Sequence, residues 1–403
     1  MKIARIEALV LRAPYGELEP YWAHGFWGEA ARGGHRAPVV TPAQVADMTL
    51  WRYRAAYAPA VETTVVRVTT DDGLVGYGEA HAPIVPEVTA TIITSLLGPL
   101  VMGENPLAID RLWEKMYASM RIRGHHTGFM SEAMAGIDIA LWDIAGKALG
   151  LPVYLLMGGG YHDRVRVYQS HLPVLHPDEM AALARHHVAQ GFPAIKITGG
   201  AGPETDIRNV ERIREAVGDA VELMLDAGGV YDLPTAVKVG RALERLDVLF
   251  FEDPLPCEDY TGYAALCRAL DVAVAMGETD TTRYQFHQRL TMGGVDIVLP
   301  DVSRASGLTE CRKIAMLADV YNVRLCPHNS VCSAVHHAAA LHLCAAIPNF
   351  LMYEFWAGHN PLLDIVRTPL VPEEGYLPVP QGPGLGIDID TDKLDRLVAA
   401  RYP

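Results

Sequence analysis

The chain has little of what would tie it to a membrane, a nucleic acid or an oxidising compartment. No run approaches the ~18 uninterrupted apolar residues that a membrane-spanning helix needs. The start, Met1-Lys-Ile-Ala-Arg-Ile-Glu7, carries no apolar core of signal-peptide type, so a cytoplasmic location is expected. Positive charge is scarce: 34 Lys and Arg stand against 48 Asp and Glu, a net charge of −14. That balance argues against nucleic acid or an anionic membrane surface as a partner. It also demands a local cluster of positive charge, or a metal, if the substrate is an anion. The six cysteines all lie between Cys257 and Cys344 and form no Cys-x-x-Cys pair. Neither a zinc site nor a disulfide framework is expected from them, only buried reduced thiols.

Half of the residues, 50%, are hydrophobic, enough for a large core, and they fall in a regular rhythm. Six ionisable residues end successive apolar runs: Val221-Glu-Leu-Met-Leu-Asp226, Val248-Leu-Phe-Phe-Glu252, Val274-Ala-Met-Gly-Glu278, Asp296-Ile-Val-Leu-Pro-Asp301, Arg324-Leu-Cys-Pro-His328 and Phe350-Leu-Met-Tyr-Glu354. Subtracting positions gives intervals of 26, 26, 23, 27 and 26 residues. A strand of about five residues, a helix and two short loops take roughly that length. Short unbroken apolar runs are the mark of parallel strands buried on both faces. With Arg166-Val-Tyr-Gln-Ser170 and Ala194-Ile-Lys-Ile-Thr198 the strands number eight, as in a barrel of ~250 residues. Each run would deliver an ionisable residue to the C-terminal end of its strand, where barrel enzymes hold their chemistry.

The barrel is expected over residues 131–356. Residues 1–130 read as an α+β capping domain: a strand at the start, then a hairpin of Thr64–Thr70 and Leu74–Glu79 about Asp71-Asp72-Gly73, then helices. Inside it, residues 13–60 set Trp22, His24, Trp27, His35, Arg36 and Trp51 among Gly and Pro. That stretch is too long for a plain connection and too aromatic for disorder, so it reads as a lid. The tail, 357–403, is Pro/Gly-rich coil with short strands and is expected to pack back on the capping domain.

Asp226, Glu252 and Glu278 end three neighbouring strands, ~4.8 Å apart, so their carboxylates can converge. Three anions in one pocket repel unless a cation sits among them. Oxygen-only ligands with open positions favour Mg²⁺. The plainer alternative, three acids that each cap the next helix, does not explain their common register. Asp301 and His328 end the next two strands, and a carboxylate beside an imidazole fixes its tautomer and raises its basicity, as proton abstraction requires. A structural histidine is the alternative there.

These pieces resemble the enolase superfamily, and within it the mandelate racemase subgroup. The matching segments are Asp226 after Leu-Met-Leu, Phe251-Glu-Asp-Pro254, Gly277-Glu278-Thr, Pro300-Asp301-Val and Pro327-His328-Asn. Upstream, Gly73-Leu-Val-Gly-Tyr-Gly-Glu79 and Gly136-Ile-Asp-Ile-Ala-Leu-Trp-Asp143 match too, so nearly the whole chain is covered. The resemblance implies a modified (β/α)₇β barrel capped by both termini, an essential Mg²⁺ on the three acids, and a homo-oligomer, dimer or octamer. It implies further that Lys196 sits beside the substrate carboxylate, that His328 and Asp301 form one acid/base arm, and that Glu354 hydrogen-bonds the substrate in protonated form. The chain departs from the family pattern twice. Thr198 stands where the family has its base lysine, and Gly228 where it often has Asn.

A threonine hydroxyl is no base at neutral pH. Racemisation needs proton acceptors on both faces of the α-carbon, whereas dehydration needs one, so an acid-sugar dehydratase is expected. Thr198, Trp22, His24, Arg36, Arg123 and His126 are the candidate contacts to the sugar hydroxyls. A cycloisomerase or epimerase of a sugar lactone or cyclic acid, a hydroxyproline-type dehydratase and a non-catalytic barrel relative are the alternatives. Tyr168, His125 and His126 are the candidates for any second base.

Overall fold

A computed structural model describes residues 1–14, 37–38, 56–58, 60–172 and 175–403. Most of the expected lid, with Trp22, His24 and Arg36, lies outside the described residues.

The N-terminal region opens with β1 (Ile3–Pro14), a short pair β2 (Ala37–Pro38) and β3 (Ala56–Tyr57), then β4 (Ala60–Thr70) and β5 (Val75–Ala80). β1, β4 and β5 form an antiparallel sheet, and the turn between β4 and β5 places Gly73 at φ +87°, a conformation that glycine takes without strain. The far edge of β1 is filled by the C-terminal strand, so the sheet contains both ends of the chain. Helices α1 (Pro86–Ile92), α2 (Ile109–Arg121) and α3 (Phe129–Leu149) follow. The glycines of Gly76-Tyr-Gly78 let α3 lie directly on β5. A Cβ at Gly78 would stand 1.9 Å from the Gly136 carbonyl, and one at Gly76 2.3 Å from that of Ala140.

Eight parallel strands succeed this sheet: β6 (Arg164–Leu172), β7 (Ala194–Thr198), β8 (Glu222–Asp226), β9 (Val248–Glu252), β10 (Ala273–Met276), β11 (Ile297–Val298), β12 (Arg324–Leu325) and β13 (Tyr353–Phe355). They pair in chain order, and β13 returns to β6. A parallel bridge between Leu325 and Phe350 joins β12 to the approach of β13 and closes the ring. Seven helices fill the crossovers: α4 (Pro177–Ala189), α5 (Pro203–Val217), α6 (Leu233–Arg245), α7 (Tyr260–Ala269), α8 (Arg283–Met292), α9 (Leu308–Val320) and α10 (Ala334–Ala346). The expected (β/α)₇β barrel with a separate sheet region is therefore the observed architecture. After β13 come β14 (Tyr376–Pro378), α11 (Thr391–Leu397) and β15 (Val398–Tyr402), the strand that edges β1.

Inside the ring, Tyr168, Ala194, Met224, Phe250, Ala275, Ile297, Leu299, Cys326 and Met352 pack into one apolar layer. Alternation along a strand puts residues two positions onward on the same face. Lys196, Asp226, Glu252, Asp301, His328 and Glu354 are those next inward residues, so the apolar plug forms the floor of the mouth they line. Sheet and barrel are stitched together by Glu79 at the end of β5. It accepts hydrogen bonds from Thr63 Oγ1 (2.7 Å), the Ser333 N–H (3.1 Å) and the His336 N–H (3.2 Å), the last two at the start of α10. Among the described residues, no helix is long and apolar enough to cross a membrane.

Candidate active site

The strand register sets the site. Thr198 pairs with Asp226 and Asp226 with Glu252, so these three stand level on adjacent strands. Lys196 is 1% exposed, yet its ammonium sits 2.9 Å from both Glu252 oxygens, 2.6 Å from Glu354 and 3.6 Å from Asp226. Burial opposes its charge, and the three carboxylates outweigh burial, holding its pKa well above the usual lysine range.

On the opposite flank, His328 Nδ1 lies 2.9 Å from Asp301 Oδ2 and Nε2 lies 2.7 Å from Glu278 Oε2. Asp301 is fully buried and also accepts from the N–H groups of Ser303 (2.8 Å) and Arg304 (3.1 Å). Burial works against its charge, but His336, His328 and His81 prevail and hold it ionised. The expected imidazole–carboxylate pairing is thus present. Burial lowers the pKa of His328, but the carboxylates of Glu278 and Glu354 and the Asp301 hydrogen bond together drive it well above normal.

Glu354 corrects one expectation. It was expected to be protonated by crowding, but it lies between Lys196 and His328, within 2.6 and 4.0 Å. It accepts from Ser170 Oγ and from the Asn329 N–H at 3.0 Å. Burial would raise its pKa, and the flanking cations pull it down to about 2. A carboxylate surrounded by donors is an acceptor.

The three expected metal acids reach the same mouth, but their oxygens do not converge. Among the described residues no three Asp, Glu, His or Cys side chains are gathered in a metal-holding arrangement. The reason is local: Glu252 turns onto Lys196, and Glu278 onto His328. The donor chemistry nevertheless fits a hard divalent cation. The side chains of Asp226 and Glu278 stay 20% and 28% exposed to the mouth. Burial raises the pKa of Asp226 against the pull of Lys196, with Glu278 and Glu354 adding to it, and burial with Glu278 and Asp226 raises that of Asp253. Asp253, which the sequence reading passed over, has a buried Oδ1 without a hydrogen-bond partner beside this group.

The remaining expected residues part company. Arg123 and His125 are exposed in the turn after α2, and His126 packs edge-on against Tyr117, 5.9 Å between ring centroids. The N–H groups of Arg123 and His125 both donate to the Met120 carbonyl, so the turn folds back on α2. Tyr168 lies in the apolar floor, its hydroxyl pKa raised far above normal by burial. β6 runs to Leu172, beyond the expected end at Ser170, which donates to Glu354 in the mouth and is followed by His171. Asp206 holds the loop after Thr198, accepting from the N–H groups of Gly200 (2.7 Å) and Ala201 (3.1 Å). A polar residue three positions into α5 gave no sequence signal for that role.

Known proteins match this arrangement. Residues 40–158 match the mandelate racemase / muconate lactonizing enzyme N-terminal domain, and residues 179–393 the enolase C-terminal domain-like family. A D-galactarolactone cycloisomerase of Agrobacterium fabrum is 36% identical over 343 residues, covering 82% of this chain and 89% of its own. A D-galactonate dehydratase of Ralstonia nicotianae is 36% identical over 343 residues, covering 81% and 88%. The crystal structure of the 3,6-anhydro-D-galactonate cycloisomerase of Zobellia galactanivorans superposes with a TM-score of 0.82 at 30% identity, covering 99% and 100%. With its strand-end acids, its dyad and its capped barrel, the chain belongs to the enolase superfamily, in the mandelate racemase / muconate lactonizing enzyme group.

Proposed function

We propose that the protein dehydrates an acid sugar, an aldonate or aldarate, to a 2-keto-3-deoxy acid with the aid of Mg²⁺. The observation that carries this reading is the His328–Asp301 dyad standing across Glu354 from Lys196, with threonine at 198. Bound at Asp226, Glu252 and Glu278, Mg²⁺ would supply positive charge to the substrate carboxylate as the α-proton leaves. Lys196 supplies a second, fixed positive charge to the same carboxylate. With Glu278 drawn onto Mg²⁺, His328 would lose the carboxylate that holds a proton on Nε2; in its neutral form it takes the α-proton, and Asp301 steadies the imidazolium that forms. The electron pair of the Cα–H bond moves toward the β-carbon, the β C–O bond breaks, and His328 returns its proton to the departing oxygen as water. The enol so formed tautomerises to the 2-keto acid. Glu354 stays ionised and orients Lys196, and Trp22, His24, Arg36 and Thr198 are the proposed contacts to the sugar hydroxyls.

In this reading residues 1–130 and 357–403 form one cap over a barrel of 131–356, the protein is cytoplasmic, and it works as a homo-oligomer, dimer or octamer. A panel of acid sugars incubated with Mg²⁺ and semicarbazide tests the reaction, because a 2-keto product gives a semicarbazone. Cycloisomerisation of a sugar lactone is the second reading, favoured by the cycloisomerase that matches as well as the dehydratase does. It need not give a semicarbazone, and it is set apart by mass, since its product keeps the mass of the substrate whereas dehydration loses one water. Turnover undiminished by exhaustive chelation would remove the metal from either reading.

A further inference from the structure

Position 198 leaves one side of the substrate without the family's lysine, yet a second imidazole lies at the end of the neighbouring strand, within electrostatic range of the mouth's charged groups. Tyr168 points into the apolar floor and Ser170 follows it inward, to Glu354. Regular alternation would turn His171 outward. His171 instead has φ +55°, and the β6–β7 register shifts between Gln169 and Leu172. A left-handed non-glycine residue in a strand is uncommon and costs conformational energy, and such residues cluster at functional sites. The ring lies within electrostatic range of Glu354, Lys196, His328 and Glu278. In the closed ring β13 stands between β12 and β6. His328 and His171 therefore flank Glu354 from its two sides.

We propose that His171 is a second proton-transfer residue of this site, and that it gives the enzyme an α-epimerisation activity beside dehydration. The proposal rests on the acid-sugar reading above. Burial lowers the pKa of His171 to about 4, against the pull of Glu354. The imidazole is thus neutral near pH 7, the form that can accept a proton. In the epimer whose α-hydrogen faces away from His328, His171 takes that proton and the Cα–H electron pair passes into the enediolate. The imidazolium of His328 then forms a new Cα–H bond on the other face. One Cα–H bond breaks and one forms, no electrons are gained or lost, and solvent restores the two imidazoles.

The test follows the α-hydrogen by proton NMR in deuterated water with Mg²⁺, for the dehydrated acid sugar and for its α-epimer. The wild-type enzyme is expected to exchange both. Asparagine adopts the left-handed conformation readily, so His171→Asn removes the imidazole with little disturbance of the backbone. In that variant, exchange of the α-epimer relative to the dehydrated sugar should fall by about 100-fold or more. His171→Gln should give the same change of ratio and serves if the first variant does not fold. Mg²⁺ binding by calorimetry, unchanged in either variant, shows that the site is intact. Wild-type exchange confined to one epimer, or an unaltered ratio in folded variants, overturns the role of His171 alone. Absence of exchange with every acid sugar overturns the acid-sugar reading together with it.

Discussion

His328 is held at both ring nitrogens, by Asp301 on one side and Glu278 on the other, and is only 4% exposed. An imidazole so fixed cannot swing away, and its Nε2 comes free for the substrate when Mg²⁺ takes Glu278. Replacing His328 with Asn keeps an amide within reach of Asp301 but leaves nothing to accept a proton. Exchange of the α-hydrogen in the dehydrated sugar should then fall by about 100-fold or more, with turnover lost alongside it. Deuterium incorporation read by NMR checks this, and exchange at the wild-type rate would place the base elsewhere. Lys196 is the other fixed point. Its three carboxylate neighbours make it a charge that survives burial, which a lone buried ammonium would not.

Among the elements, α3 and α10 both pack on β5. α3 rides on β5 through glycine, so Gly78→Ala forces a methyl group to within 1.9 Å of the Gly136 carbonyl. The strand and helix must separate, at a cost of about 1–3 kcal/mol. A lowered urea midpoint with unchanged slope is the expected result, and an unchanged midpoint would mean that the helix slides freely. Helix α10 buries three histidines, and His342 illustrates their pH cost. Its Nδ1 accepts the Tyr154 N–H at 3.3 Å, and burial lowers its pKa to about 4. The folded protein refuses a proton that the unfolded chain accepts near pH 6.5. Stability from this residue is therefore complete above pH 6.5 and is lost as pH falls from there toward 4, by about 3 kcal/mol at most. His342→Gln, which can still accept from Tyr154, should flatten the fall in urea midpoint over that window. An unaltered profile would assign the acid sensitivity to other groups.

At the scale of the whole molecule, sheet and barrel share one carboxylate. Glu79 receives donors from β4 and from the first turn of α10. Glu79→Ala orphans the Ser333 and His336 N–H groups at once, an expected loss of about 2–4 kcal/mol. Because those groups join the sheet to the barrel, the loss should fall on their cooperativity. Calorimetry is expected to show two unfolding transitions in the variant where the wild type shows one. A single transition with the wild-type midpoint would mean that apolar contact alone couples the two regions.

The sequence by itself determined the barrel, its cap and the identity of the strand-end groups. Buried parallel strands need unbroken apolar runs, and the crossover geometry fixes their spacing, so Asp226, Glu252, Glu278, Asp301, His328 and Glu354 announced themselves by position. The glycines of the hairpin were visible for a similar reason, since turns and close approaches leave few alternatives. Only the tertiary structure decided how those groups partner. Glu252 meets Lys196 across 56 residues, and Ser170 meets Glu354 across 184. The charge state of Glu354 follows from those meetings: crowding by acids alone would protonate it, but two cations from distant strands keep it ionised. His171 was equally hidden. Strand alternation is a property of sequence, but its interruption by one left-handed residue shows only in the backbone of β6, where the register with β7 shifts. Which side chains face a site depends on such non-local backbone constraints, and these exist only once the ring has closed.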